Sequence, residues 1–218
     1  MGTAAGPALR LHVKDQVHLY LFLSVLFLMG VVFGALMTGA LTPEQRDDLS
    51  RHLGSFLQTV SLGGETAPKP DLLSAFGLHF KWTALVWLLG ISVVGLPLVL
   101  ALNFLKGLLI GFTVGLIVSE YAWKGLAFAL VSVVPQNLFV IPALLAGSAA
   151  AISFSGYLVK HRFLQKTNDS AAPFFLKYAG IGLSLVVVMF AAALVETYLS
   201  PVLIGRLAPW VMGLAAAD

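Results

Sequence analysis

The chain has 218 residues, 59% hydrophobic and 11% charged, with a mean hydropathy of +0.93. A soluble domain carries roughly twice that charged fraction, so the composition excludes a wholly wetted surface and points to a bilayer. The net charge of +3 is scattered rather than clustered as for nucleic acid, and the absence of Cys excludes disulfides, thiolate metal sites and Cys nucleophiles.

Residues 1–17 form a short polar lead with Arg10, Lys14 and Asp15, and residues 18–41 then run without a charge. That stretch is longer than the roughly 7–15 apolar residues of a signal peptide, so it predicts an uncleaved first span. Residues 42–81 form a polar insert that opens on a helix start. Thr42 is placed to cap, Pro43 suits the first helical position and Gln45 completes a capping box. Leu49, Leu53, Phe56, Leu57 and Val60 follow at helical spacing. Gly63-Gly64 and Pro68-Lys69-Pro70 break the insert, and Leu72, Leu73, Phe76 and Phe80 make a second amphipathic stretch.

Residues 82–103 read as the second span, with Pro97 as a kink, and 104–119 as a short third span with Lys106 near its start. Residues 125–159 contain no charge. As one straight helix they would be about 52 Å long, too long for the bilayer. The expectation is a re-entrant half-helix over 125–134, a polar break at Pro135-Gln136-Asn137 and a span over 138–159. Residues 174–195 read as the fifth span. The tail, 200–218, carries Arg206, Pro209 and Trp210 and is expected at the interface.

The expected fold is an all-α, polytopic membrane helix bundle in one domain, with about five spans, one broken or re-entrant segment and a small extracytoplasmic helical insert. Lys160, Arg162, Lys166 and Lys177 with only Asp169 between them mark a cytoplasmic loop. This puts the N-terminus inside, and the insert and C-terminus outside.

Gly30, Gly34 and Thr38 lie four apart on the first span, and Gly107, Gly111 and Gly115 repeat the spacing on the third. Such ridges let helix backbones approach closely, either as a homodimer seam or within one chain. Pro135, Gln136, Asn137 and Pro142 form the most polar interruption of the apolar stretches. A broken helix at membrane depth can bind a substrate or ion. It can also be a simple turn, and no acidic residue stands near it to hold a cation. His12, His18, His52, His79 and His161 lie away from the expected span centres and read as solvated. They make no metal-ligand pair at helical spacing. No buried acid, base or nucleophile and no phosphate loop is legible, so neither an enzyme nor a cofactor is expected.

Three stretches carry a family likeness: Ser24–Ala35 (SVLFLMGVVFGA); Leu89–Pro97 (LGISVVGLP), continued by Phe104–Gly107 and Gly111–Gly115; and Val131–Pro142 (VSVVPQNLFVIP). Together they resemble the stage II sporulation protein M family over essentially the whole chain. The wider family often has His-Gly after the first proline of the third stretch and Glu two residues before the second. Here those positions are Gln136, Asn137 and Val140, as in the sporulation branch. The resemblance implies a role in forespore engulfment, in the mother-cell membrane at the septum, in complex with peptidoglycan-degrading enzymes resembling stage II sporulation proteins D and P. It thereby implies a non-enzymatic membrane scaffold. Read from the residues, its contact surfaces are the insert 42–81 and the outer tail, with Glu44, Asp47 and Asp48 as candidate partner-binding residues. The alternative from the residues alone is a permease or flippase with its pathway at Pro135–Asn137.

Overall fold

The computed structural model describes residues 5–61, 71–92, 94–159, 172–211 and 213, and these are helical with no strand among them. In chain order the helices are α1 (Ala5–Met37, extended by a 3₁₀ turn Thr38–Ala40), α2 (Pro43–Ser61), α3 (Leu72–Gly90), α4 (Gly95–Leu158), α5 (Ala172–Leu194) and α6 (Ser200–Val211), with a π-helical segment Val195–Leu199 joining the last two. Four stretches are long and apolar enough to cross a membrane: Val17–Ala40, Leu72–Gly90, Gly95–Leu158 and Pro173–Val211. Large apolar side chains such as Leu21, Phe22, Leu28, Leu36, Leu176 and Leu183 stand outward and exposed, as a lipid-facing surface requires.

The 64-residue α4 is two limbs, 95–121 and 123–158, because Ala122 leaves helical geometry at φ 49°, ψ −127°. The limbs lie antiparallel. Asn103 bonds Ser148 across 45 residues, and Ile117 shares a buried cluster with Phe128 and Ala129. Gly125 makes the tight reversal possible, since a Cβ there would run into the Ile117 carbonyl.

α1 lies along the first limb in parallel, and the two glycine ridges face each other. A Cβ on Gly30 or Gly34 would strike the Phe104 or Leu108 carbonyl. On Gly107 or Gly111 it would strike the Phe27 or Val31 carbonyl, and on Gly115 it would come within 2.9 Å of the Ala35 Cα. The ridges are therefore engaged with each other within one chain.

α3 runs antiparallel to the first limb, α5 antiparallel to the second, and α3 and α5 meet over aromatic side chains. Trp87, Tyr178 and Phe154 stack with centroid separations of 5.6 and 4.6 Å, and the Tyr178 hydroxyl donates to the Trp87 carbonyl at 2.6 Å. Two ends result. One carries α2, Ala122 and α6 and is called the α2 end here. The other carries the α3–α4 turn and the start of α5.

Several expectations are corrected. The apolar run 82–103 is two helices joined by a turn at 91–94: Gly95 donates to the Ser92 carbonyl at 3.0 Å, and Pro97 lies in the first turn of α4 rather than at a kink. An N–H missing from a first turn costs nothing, and hydropathy is blind to a reversal flanked by apolar residues on both sides. The helix expected over 104–119 is accordingly the limb 95–121. The expected break at Pro135-Gln136-Asn137 is absent: the helix runs on through it and through Pro142, and the chain reverses at Ala122 instead. Each proline removes one backbone bond, which a helix packed among neighbouring helices tolerates. Finally, α3 starts at Leu72, ten residues before the expected span, and α5 continues through the π segment into α6 rather than ending at 195. The predicted breaks at 63–64 and 68–70 and most of the basic loop 160–177 lie outside the described residues.

Candidate functional site

Two groups of polar residues stand out from the apolar body. The first is the face of α2. Its start is the capping box expected from the residue types: the Thr42 N–H donates to Gln45 Oε1 at 3.1 Å, and the Gln45 N–H donates to Thr42 Oγ1 at 3.3 Å. Glu44 occupies the first turn, where a negative charge meets the positive end of the helix dipole. Glu44, Asp47 and Asp48 are all exposed. Asp48 approaches His52 at 3.9 Å on the wet side of the helix.

The helix that carries these acids is fastened at both ends. Arg46 donates to Glu120, at the tip of the first limb, at 3.1 Å. An ion pair this exposed contributes about 1 kcal/mol or less, so it orients α2 more than it holds it. The hold comes from Leu57, which is 0% exposed and packs with Ile117, Phe128, Ala129, Ala208 and Val211. Burying a leucine side chain is worth about 2 kcal/mol. α2 is thus wedged between the α4 hairpin and α6. Lys124 lies 5.6 Å from the Trp210 ring centroid and adds a cation–π tie at the same end.

The second group is buried. His79 Nε2 lies 2.6 Å from Glu196 Oε2, joining α3 to the π segment. The His79 side chain is 7% exposed and that of Glu196 29%. His79 lies two turns down α3, about 10 Å from the helix start. One turn further, Lys106 stands 5.4 Å from the Trp82 ring centroid. Thr83 Oγ1 donates to the His79 carbonyl at 3.0 Å, while Thr197 Oγ1, beside Glu196, is buried without a hydrogen-bond partner.

This group corrects the expectation that no acid or base lies inside the body and that His79 is a solvated histidine. The signal was present in part: 72–90 contains a single charge, Lys81, so it already reads as one helix with His79 inside it. The π segment that turns Glu196 inward has no pattern of its own in the sequence.

The residues of the expected pathway do not converge. Asn103 is 0% exposed and donates to Val99 O and Ser148 Oγ at 2.9 and 2.6 Å. Asn137 is bonded to its own helix and borders an apolar cleft of about 340 Å³ with Ile110, Val114 and Leu138. Gln136 Oε1 is buried and unpartnered. Among the described residues no three His, Cys, Asp or Glu side chains converge on a metal-sized site.

The model of one family, described as stage II sporulation protein M, matches residues 23–201, from the middle of α1 to the first turn of α6. No curated protein and no solved structure matches the chain.

Proposed function

The chain belongs to the stage II sporulation protein M family, and from that premise we propose that it is an integral membrane scaffold that holds peptidoglycan-degrading enzymes at the membrane during forespore engulfment. The observation that carries this reading is the acidic face of α2, presented on a helix wedged by Leu57 and oriented by Arg46–Glu120. A docking surface on a fixed element loses little conformational freedom when a partner binds. The enzymes held would resemble stage II sporulation proteins D and P, with basic groups facing Glu44, Asp47 and Asp48.

In this reading the chain crosses the mother-cell membrane five times: α1, α3, the two limbs of α4, and α5. The N-terminus is cytoplasmic, and the α2 end, with α6, is extracytoplasmic. The buried Asn103, Asn137 and Ser148, bonded within the body rather than lining a wet passage, support a scaffold over a conduit.

The test is co-purification of the hydrolases with the full-length protein in detergent. Reversal of the acids (Glu44→Lys, Asp47→Lys, Asp48→Lys) lowers hydrolase recovery at least several-fold at matched protein level. Unchanged recovery overturns the assignment of this face.

A permease is the second reading, and one observation favours it: buried ionisable groups inside a membrane body mark transport pathways by default. The relevant groups are His79, Glu196 and Lys106 rather than Pro135–Asn137. Solute flux into proteoliposomes that is lost in Glu196→Gln would support that reading against the scaffold.

A further inference from the structure

A crevice of about 300 Å³ opens near the end of the bundle opposite α2, where Tyr20 of α1, Ala150, Ser153 and Phe154 of α4, and Lys177 and Ile181 of α5 converge. α1 and α5 pack on α4 from different sides, and the space between them is closed by neither. Its floor is apolar and is kept open by small residues: Ala146 and Ala150 line it where larger side chains would fill it. Its one charged lining group is Lys177, exposed, about one and a half turns into α5. Lys177 has no carboxylate within ion-pair distance among the described residues.

We propose that this crevice is a binding site for an anionic glycerophospholipid, one acyl chain lying on the Ala146–Ala150–Ile181 floor and the headgroup phosphate meeting the Lys177 ammonium. The chemistry selects this occupant. A soluble anion would gain nothing from an apolar floor, and a neutral apolar molecule would leave the lysine without a counter-charge. Lysine extends a long apolar stem along lipid while its ammonium stays at headgroup level. Basic pockets between transmembrane helices are where anionic headgroups bind. The Tyr20 side chain stands on the facing wall, its hydroxyl a second donor for the phosphate or the glycerol ester. The inference does not depend on which end of the bundle faces the cytoplasm, nor on the scaffold reading.

The test uses full-length protein in neutral detergent, with thermal unfolding followed on adding phosphatidylglycerol, phosphatidylcholine of the same chains, or inorganic phosphate. Phosphatidylglycerol is expected to raise the melting temperature by about 3 °C more than phosphatidylcholine, and phosphate alone not to raise it. Lys177→Gln, a surface change that leaves the fold intact, removes the difference, while Lys177→Arg keeps it. Native mass spectrometry of Ala150→Leu, which fills the floor, shows fewer retained phosphatidylglycerol molecules than wild type. Equal shifts with both lipids, an equal shift with phosphate, or a phosphatidylglycerol shift that survives Lys177→Gln would each overturn the site.

Discussion

The seam between α1 and the first limb of α4 and the junction between α3 and the π segment hold the same bundle together by opposite means. At the seam, Gly30 and Gly34 on one helix and Gly107, Gly111 and Gly115 on the other bring backbone against backbone, and no side-chain polar group is needed. At the junction the tie is a bond between side chains, His79 to Glu196 at 2.6 Å. Close packing in a membrane works through dispersion and is intolerant of added volume. A buried polar tie tolerates volume but not the loss of one partner. The two regions should therefore fail under different substitutions.

The largest effect is expected at the seam. Gly111→Leu drives a side chain into the Val31 carbonyl and should cost about 3 kcal/mol, read as a fall in melting temperature in detergent. Gly180→Leu is the control, since nothing lies within 4 Å of a Cβ there; it should stay within about 0.5 kcal/mol of wild type. Equal losses in the two variants would erase the distinction between an engaged and a free glycine.

At the junction, Glu196→Leu strands His79 and should cost about 2 kcal/mol. The figure is set below that for a wholly buried pair because the Glu196 side chain is 29% exposed. The sharper measurement is the cycle: His79→Leu/Glu196→Leu should lose less than the sum of the single variants, because an apolar pair leaves no orphaned polar group. Additive losses would show that the two residues do not act as a unit.

A smaller effect of opposite sign is expected at the α4 reversal. Ala122 sits at φ 49°, ψ −127°, a conformation that a Cβ disfavours and glycine adopts freely. Ala122→Gly should stabilise the hairpin by about 1 kcal/mol. A destabilised variant would mean that the methyl group contributes packing that outweighs the backbone relief.

The same contrast explains what was legible in the sequence. The glycine ridges can be found by spacing alone, because the ligand of each glycine is simply another backbone. The capping box at Thr42–Gln45 is equally local. The family likeness rests on contiguous stretches that fall within the matched residues 23–201. The His79–Glu196 bond joins positions 117 residues apart and depends on a π segment with no sequence signature, so nothing local announces it. The reversals failed for a related reason. The 91–94 turn is flanked by apolar residues, and the turn at Ala122 uses an alanine where glycine would advertise it, whereas Pro135-Gln136-Asn137 looks like a break and is absorbed into a helix. For the candidate docking face, residue types and exposure were readable from the charge pattern, but the wedge by Leu57 and the clamp to Glu120 were not, since both depend on where the α4 hairpin turns.

The most direct test of the scaffold reading is engulfment scored by microscopy at matched protein levels, with Gln136→Ala/Asn137→Ala beside the triple reversal Glu44→Lys/Asp47→Lys/Asp48→Lys. The double alanine variant is expected to engulf nearly normally, at a stability cost of about 1–2 kcal/mol, while the triple reversal impairs engulfment together with hydrolase recovery. A double alanine protein that is made at full level, keeps its hydrolases and still fails to engulf would contradict the scaffold reading.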